Sequence, residues 1–179
     1  MKKFIFAAIL TCLLSLSAAA QGEIPKVELY GGYSWAGGNF HGWNASVTGN
    51  VNSWLGVTAD FSGHYGGSRE GNIFEERQRA HSFLFGPRFS ARKRKRVSPF
   101  AYALFGVSHL KTRETLFGNT FTASDSGFAM ALGGGLDIKV NERVAVRAFQ
   151  LDFFRPVFFG EAENRGRLSF GLVLRFGKR

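Results

Sequence analysis

Trp43-Asn44-Ala45-Ser46-Val47-Thr48-Gly49-Asn50-Val51 decides the fold, because every even position is polar and every odd one is apolar or glycine. A period of two marks a β-strand with one wet and one greasy face. The pattern recurs in Leu55-Gly56-Val57-Thr58-Ala59-Asp60-Phe61-Ser62, in Phe128, Met130, Leu132, Leu136 and Ile138, and in Leu168, Phe170, Leu172, Leu174 and Phe176. Eight strands are expected, over 26–35, 42–51, 54–65, 79–90, 97–109, 127–139, 143–154 and 166–176. Two of them fit less cleanly. Around Ser98 to Val107 apolar residues occupy both faces, and between Arg147 and Gln150/Asp152 the polar parity flips, which predicts a bulge near Ala148.

The strands sit in a chain of 179 residues, 45% hydrophobic and 15% aromatic, a length that suits one domain. Its 20 Phe make it too apolar for a disordered or collagen-like chain despite 23 Gly. The lone cysteine, Cys12, excludes an internal disulfide and zinc sites built from paired cysteines. Met1-Lys2-Lys3, the apolar run from Phe4 to Leu16 and Ala18-x-Ala20 read as a signal peptide over 1–20, cut before Gln21, which leaves a barrel domain over 21–179. Cys12 follows Thr11 inside the apolar run, which does not match a lipidation motif, so it leaves with the leader. The formal charge of +10 loses Lys2 and Lys3 and becomes 10 − 2 = +8.

The connections alternate in length. Asn52-Ser53, Ala91 to Arg96 and Val140 to Glu142 are tight, whereas Gly66 to Gln78, Leu110 to Ser126 and Arg155 to Arg165 are long. An even number of strands with short turns at one end and long loops at the other is the layout of an outer-membrane barrel. The expected fold class is therefore all-β, an eight-stranded antiparallel up-and-down transmembrane β-barrel. A soluble barrel also alternates, with its greasy face inward. Residue types separate the two: the polar face carries Asn44, Ser46, Thr48, Asn50, Thr58, Ser62 and Ser169, small groups suited to a narrow lumen, and Lys26, Lys93, Lys95, Lys111, Lys139 and Lys178 all avoid strand middles. A lipid-facing lysine at mid-membrane costs about 2–4 kcal/mol. Trp35, Trp43 and Trp54 fall at strand ends, the headgroup depth where amphipathic rings settle.

Ser169-Phe170-Gly171-Leu172-Val173-Leu174-Arg175-Phe176 resembles the C-terminal assembly signal of bacterial outer-membrane proteins, with Gly171, Leu174 and Phe176 at the marked positions. With stretches such as Val27-Glu28-Leu29-Tyr30-Gly31-Gly32-Tyr33-Ser34 and Ala131-Leu132-Gly133-Gly134-Gly135-Leu136-Asp137, the whole mature chain resembles the small eight-stranded bacterial outer-membrane β-barrel family, the OmpA/OmpX-like, porin-like β-barrel domain. Gly177-Lys178-Arg179 after the final aromatic depart from that pattern, and no peptidoglycan-binding domain is present to imply wall anchoring. The resemblance implies a place in the Gram-negative outer membrane among phospholipid and lipopolysaccharide, insertion by the barrel-assembly machinery, and a non-enzymatic structural, surface-contact or adhesion role through the long loops. A narrow small-solute porin, a lipid-modifying outer-membrane enzyme and a soluble periplasmic ligand-binding barrel remain as alternatives. The sequence names no surface ligand.

Arg92-Lys93-Arg94-Lys95-Arg96 taken alone reads as a nucleic-acid patch, but in an exported chain it is a tight turn facing anionic headgroups, and no nucleic acid is expected. Glu28, Asp60, Arg88, Asp137, Arg147 and Arg175 lie on the polar face and are expected to form a charge network in the lumen, Glu28 facing Arg175 where the first and last strands meet. A structural plug is favoured over an ion-conducting lumen, since eight strands leave room only for side chains. His41, His64, His81 and His109 fall at loop-side strand ends, with His64 expected in the lumen and His81 outside, and they form no cluster of ligand spacing. No catalytic, cofactor-binding or metal residue is assigned.

Overall fold

The computed structural model describes residues 24–70, 74–92, 96–117 and 119–177. The leader 1–20 and Lys93, Arg94 and Lys95 of the basic run lie outside the described residues.

Alternating polar and apolar residues form β1 Val27–Trp35, β2 His41–Asn50, β3 Leu55–Glu70, β4 Phe74–Ser90, β5 Val97–Leu116, β6 Asn119–Lys139, β7 Val144–Phe158 and β8 Arg165–Phe176, with a two-residue piece Glu161–Ala162 between the last two. Each strand pairs antiparallel with its neighbours in sequence, and β8 pairs β1 in the register Glu28↔Arg175 and Gly32↔Gly171. The sheet thereby closes into an eight-stranded up-and-down barrel, which has no open edge around its wall.

The barrel is inside out by the standards of a water-soluble protein. Leu29, Val47, Val57, Phe61, Phe83, Phe85, Phe105, Phe128, Leu151 and Leu172 all point outward and are exposed, while Glu28, Asn44, Thr48, Asp60, Asp137 and Arg147 are buried inside. A belt of this kind is stable only against hydrocarbon.

The turns at one end are built by asparagine. Asn52 Oδ1 accepts the backbone N–H of Trp54 and Leu55 at 2.9 and 2.7 Å, and Asn141 Oδ1 accepts those of Arg143 and Val144 at 2.9 and 2.8 Å. Both are Asx turns, which give the chain a local substitute for ladder bonds where it reverses.

At the other end the structure corrects the sequence reading. The expected loops Gly66 to Gln78 and Leu110 to Ser126 are mostly strand, since β3 continues to Glu70, β4 begins at Phe74, β5 continues to Leu116 and β6 begins at Asn119. The loop Arg155 to Arg165 is shortened likewise by β7, which runs to Phe158. Beyond the greasy belt both sheet faces are wet, so alternation disappears while backbone pairing goes on.

Ala148 is where the bulge falls. In the β6–β7 ladder Leu136 pairs Phe149 and Asp137 pairs Arg147, with Ala148 passed over. The extra residue turns Arg147, Gln150 and Asp152 all into the lumen. Around Ser98 to Val107 both faces are apolar for a second reason: Phe100, Tyr102 and Leu104 point inward and pack with Leu84, Ala129, Ala131 and Phe154. Glycine makes room opposite, because a Cβ on Gly135 would stand 2.8 Å from Phe100 Cζ.

Candidate functional site

The lumen is filled by two ion clusters joined by an amide. Nearer the short turns, Glu28 stands on β1 and Asp137 on β6. Arg88 Nη2 donates to Asp137 Oδ2 at 2.7 Å and lies 3.4 Å from Glu28 through Nη1. Arg147 grips the same Asp137 in a fork, 2.8 Å from Nε to Oδ1 and 3.2 Å from Nη2 to Oδ2. Arg175 Nε lies 3.3 Å from Glu28 Oε1, an ion pair by distance that lacks hydrogen-bond alignment. Arg92 reaches Glu28 from the turn at 3.4 Å, and also donates to Asn50 at 2.9 Å. Burial pushes the Arg92 guanidinium below its ordinary value, with Glu28 opposing that shift.

Higher in the lumen, Arg167 donates through Nε to Asp152 at 2.6 Å and approaches Asp60 at 3.3 Å. Asn44 donates to Asp60 at 2.8 Å, and Tyr102 donates its hydroxyl to Asp152. Gln150 joins the clusters, accepting from Arg147 at 2.6 Å and donating to Asp152 at 3.1 Å. Guanidinium planes also cover rings: Arg147 lies 4.0 Å above Tyr30 and 4.4 Å above Phe100, and Arg88 lies 4.0 Å above Phe100. The chemistry is that of mutual neutralisation, since a buried charge without a partner is costly.

All six charges placed in the lumen by parity, Glu28, Asp60, Arg88, Asp137, Arg147 and Arg175, are buried there. The structure groups five of them near the short turns and sets Asp60 apart with Arg167 and Asp152, which the sequence reading had not counted among the lumen charges. Arg167 was legible, because it shares the parity of Ser169 and Arg175 on β8. Asp152 was hidden by the bulge.

Of the histidines, His64 faces the lumen with Nε2 2.9 Å from Ser34 Oγ, while His41, His81 and His109 face outward. His81 is 3.2 Å from the Tyr65 hydroxyl through Nε2, and His109 is 2.7 Å from the Ser126 hydroxyl through Nδ1. Trp35 and Trp43 are exposed on the outer wall beside this end, and Trp54 stacks on Phe89 at 5.9 Å at the other. On β8, Leu174 and Phe176 face outward and Gly171 lies against Gly32. Among the described residues no group of three or more His, Cys, Asp or Glu is placed to hold a metal ion.

Above the belt, β3 to β6 rise as one four-stranded sheet. Pairing persists to Glu70↔Phe74, Phe74↔Leu116 and Leu116↔Asn119, whereas β2–β3 pairing stops at His41↔Tyr65 and β6–β7 pairing at Ala129↔Pro156. From His109 to Leu116 the strand climbs about 23 Å at ~3.3 Å per residue. Phe117 at its tip is 75% exposed and Phe121 beside it 66%.

Comparison with known proteins agrees with this architecture. The family described as "Outer membrane protein beta-barrel domain" matches residues 6–176. No curated protein sequence matches the chain. Among solved structures, the attachment invasion locus protein Ail of Yersinia pestis is similar with a TM-score of 0.65 at 21% identity, over 86% of this chain and 100% of that one. Its complex with the heparin analogue sucrose octasulfate gives a TM-score of 0.63 over the same shares, again at 21% identity. Neisserial surface protein A is similar with a TM-score of 0.64 at 12% identity, over 87% and 100% of the two chains.

Proposed function

The chain belongs to the outer membrane protein β-barrel domain family, and from that premise we propose that it serves as a surface-contact or adhesion protein, exported by its leader and working through the sheet that β3 to β6 raise above the outer leaflet. The observation that carries this reading is the continuous pairing to Leu116↔Asn119, which makes the projection a preformed wall and not a loose loop. A rigid surface meets a partner with less ordering entropy than a floppy one. Phe117 is held at φ 49°, a left-handed conformation that costs a bulky residue about 1–3 kcal/mol and that clusters at functional positions. Two upper strand margins, on β3 and β6, present backbone groups beyond the last pairs to β2 and β7, a surface that an extended peptide can extend. Ail, whose name records attachment and which has been crystallised with a heparin analogue, offers a likeness of fold and a first probe.

The filled lumen supports this reading over a channel, because Arg88, Arg147 and Arg167 cross it between their carboxylates. The test is attachment of bacteria producing the full chain to epithelial cell layers, with heparin as competitor. Replacing residues 112–123 by a short turn should abolish attachment while the folded and heated forms of the barrel still migrate apart in detergent gels. Equal attachment by the trimmed protein would overturn the proposal.

A further inference from the structure

One strip of the outer wall carries charge where the belt gives way to the raised sheet. On neighbouring strands β4 and β5, outward-facing residues pair as Phe83↔Val107, His81↔His109, Arg79↔Lys111 and Arg77↔Arg113. Two like-charged pairs thus stand directly opposite one another, an arrangement that destabilises a sheet unless something offsets it. Among the described residues the offset is slight. Arg77 bonds Glu75 at 2.5 Å, but among the described residues Arg79, Lys111 and Arg113 have no ion pair. The nearby carboxylates Glu76 and Glu114 stand opposite each other in register on the other face of the sheet.

Directly below the cations the wall is indented. An open depression of about 360 Å³ lies on the outer face, lined by Trp43, Phe61, Phe83 and Val107 and rimmed by His81 and His109. The rims carry polar rings. His81 Nε2 stands 3.2 Å from the Tyr65 hydroxyl and His109 Nδ1 2.7 Å from the Ser126 hydroxyl, so a hydroxyl that donates to either ring leaves its other nitrogen protonated and able to meet an anion. Downward along the wall the order of groups is guanidinium and ammonium, imidazole, then an apolar depression. It matches a lipid whose phosphate sits at headgroup depth and whose acyl chain descends beside it.

We propose that this strip, Arg79, Lys111, His81 and His109 above the depression, is a binding site for a phosphorylated glycolipid of the outer leaflet. The site lies on the end of the barrel that bears the raised sheet, so the leaflet is the outer one. It does not depend on the adhesion reading, since it lies at headgroup depth on the outer wall, where the belt ends, and not at the tip of the raised sheet. The phosphate bridges Arg79 and Lys111 and relieves their repulsion, and the acyl chain lies in the depression between Phe61, Phe83 and Val107.

The test uses the full chain refolded in phosphatidylcholine vesicles and titrated with diphosphoryl lipid A, reading the temperature at which the folded gel band converts to the heated one. Lipid A should raise that temperature, and the same lipid stripped of its phosphates should not. Arg79→Gln with Lys111→Gln should move the half-maximal lipid concentration upward about tenfold or more, the loss of charge-assisted bonds to one phosphate. Lys139→Gln with Arg143→Gln, at the opposite end, should leave it unchanged. If the double variant fails to give a folded band in phosphatidylcholine alone, Lys111→Gln by itself carries the same comparison. An unchanged titration in the folded variant, an equal rise with the stripped lipid, or an equal rise with phosphatidylglycerol at matched charge would each overturn the site.

Discussion

Asp137 is the residue on which the lower lumen turns, because two guanidinium groups share its carboxylate at 2.7 and 2.8 Å. Asp137→Asn leaves Arg88 and Arg147 competing for a neutral amide, and removing one partner of a buried pair costs about 3–5 kcal/mol. Urea unfolding followed by tryptophan fluorescence in lipid vesicles should show a loss of that size. Glu28 and Arg175 were legible as neighbours from the sequence, since closure puts the first and last strands side by side. The structure adds that Glu28 also faces Arg88 and Arg92, both at 3.4 Å. Exchanging the charges, Glu28→Arg with Arg175→Glu, should therefore recover only part of the stability lost by either single change. Strictly additive losses in that cycle would remove the pairing.

At the scale of the strand, β8 separates folding from assembly. Phe176 faces outward and is half exposed, so its ring contributes little to packing inside the barrel. Phe176→Ala is expected to leave the unfolding midpoint of refolded protein nearly unchanged while sharply lowering the amount assembled in the outer membrane. Normal assembly of the variant in cells would remove Phe176 from the assembly signal. Strand β6 makes the opposite point, because Gly133 and Gly135 serve the lumen. Gly135→Val forces a branched side chain against Phe100, and overpacking of this kind costs about 1–3 kcal/mol, measurable by the same urea titration. The central spans of these strands were legible from alternation, but their upper ends were not. Above Tyr65 and His109 polar and charged residues stand on both faces, so the alternation no longer marks where pairing stops.

For the whole molecule, a closed barrel with a filled lumen makes two expectations. The unheated protein should migrate apart from the boiled chain in detergent gels, because a barrel closed around its membrane-spanning wall has no frayed point there at which detergent can open it. In planar bilayers it should show no stable conductance, since the described lumen residues cross the axis as ion pairs; steady channels of reproducible size would overturn the plug. By itself the sequence determined the strands, the closure and which face meets lipid, for alternation is local and lipid penalises every charge turned toward it. The tertiary structure alone decided which lumen charges meet. Asp60 and Arg167, like Arg88 and Asp137, are far apart in the chain and come within 3.3 and 2.7 Å only through the register and the bulge at Ala148. It also decided how high β3 to β6 rise, because backbone pairing between strands leaves no trace in side-chain pattern once both faces are wet.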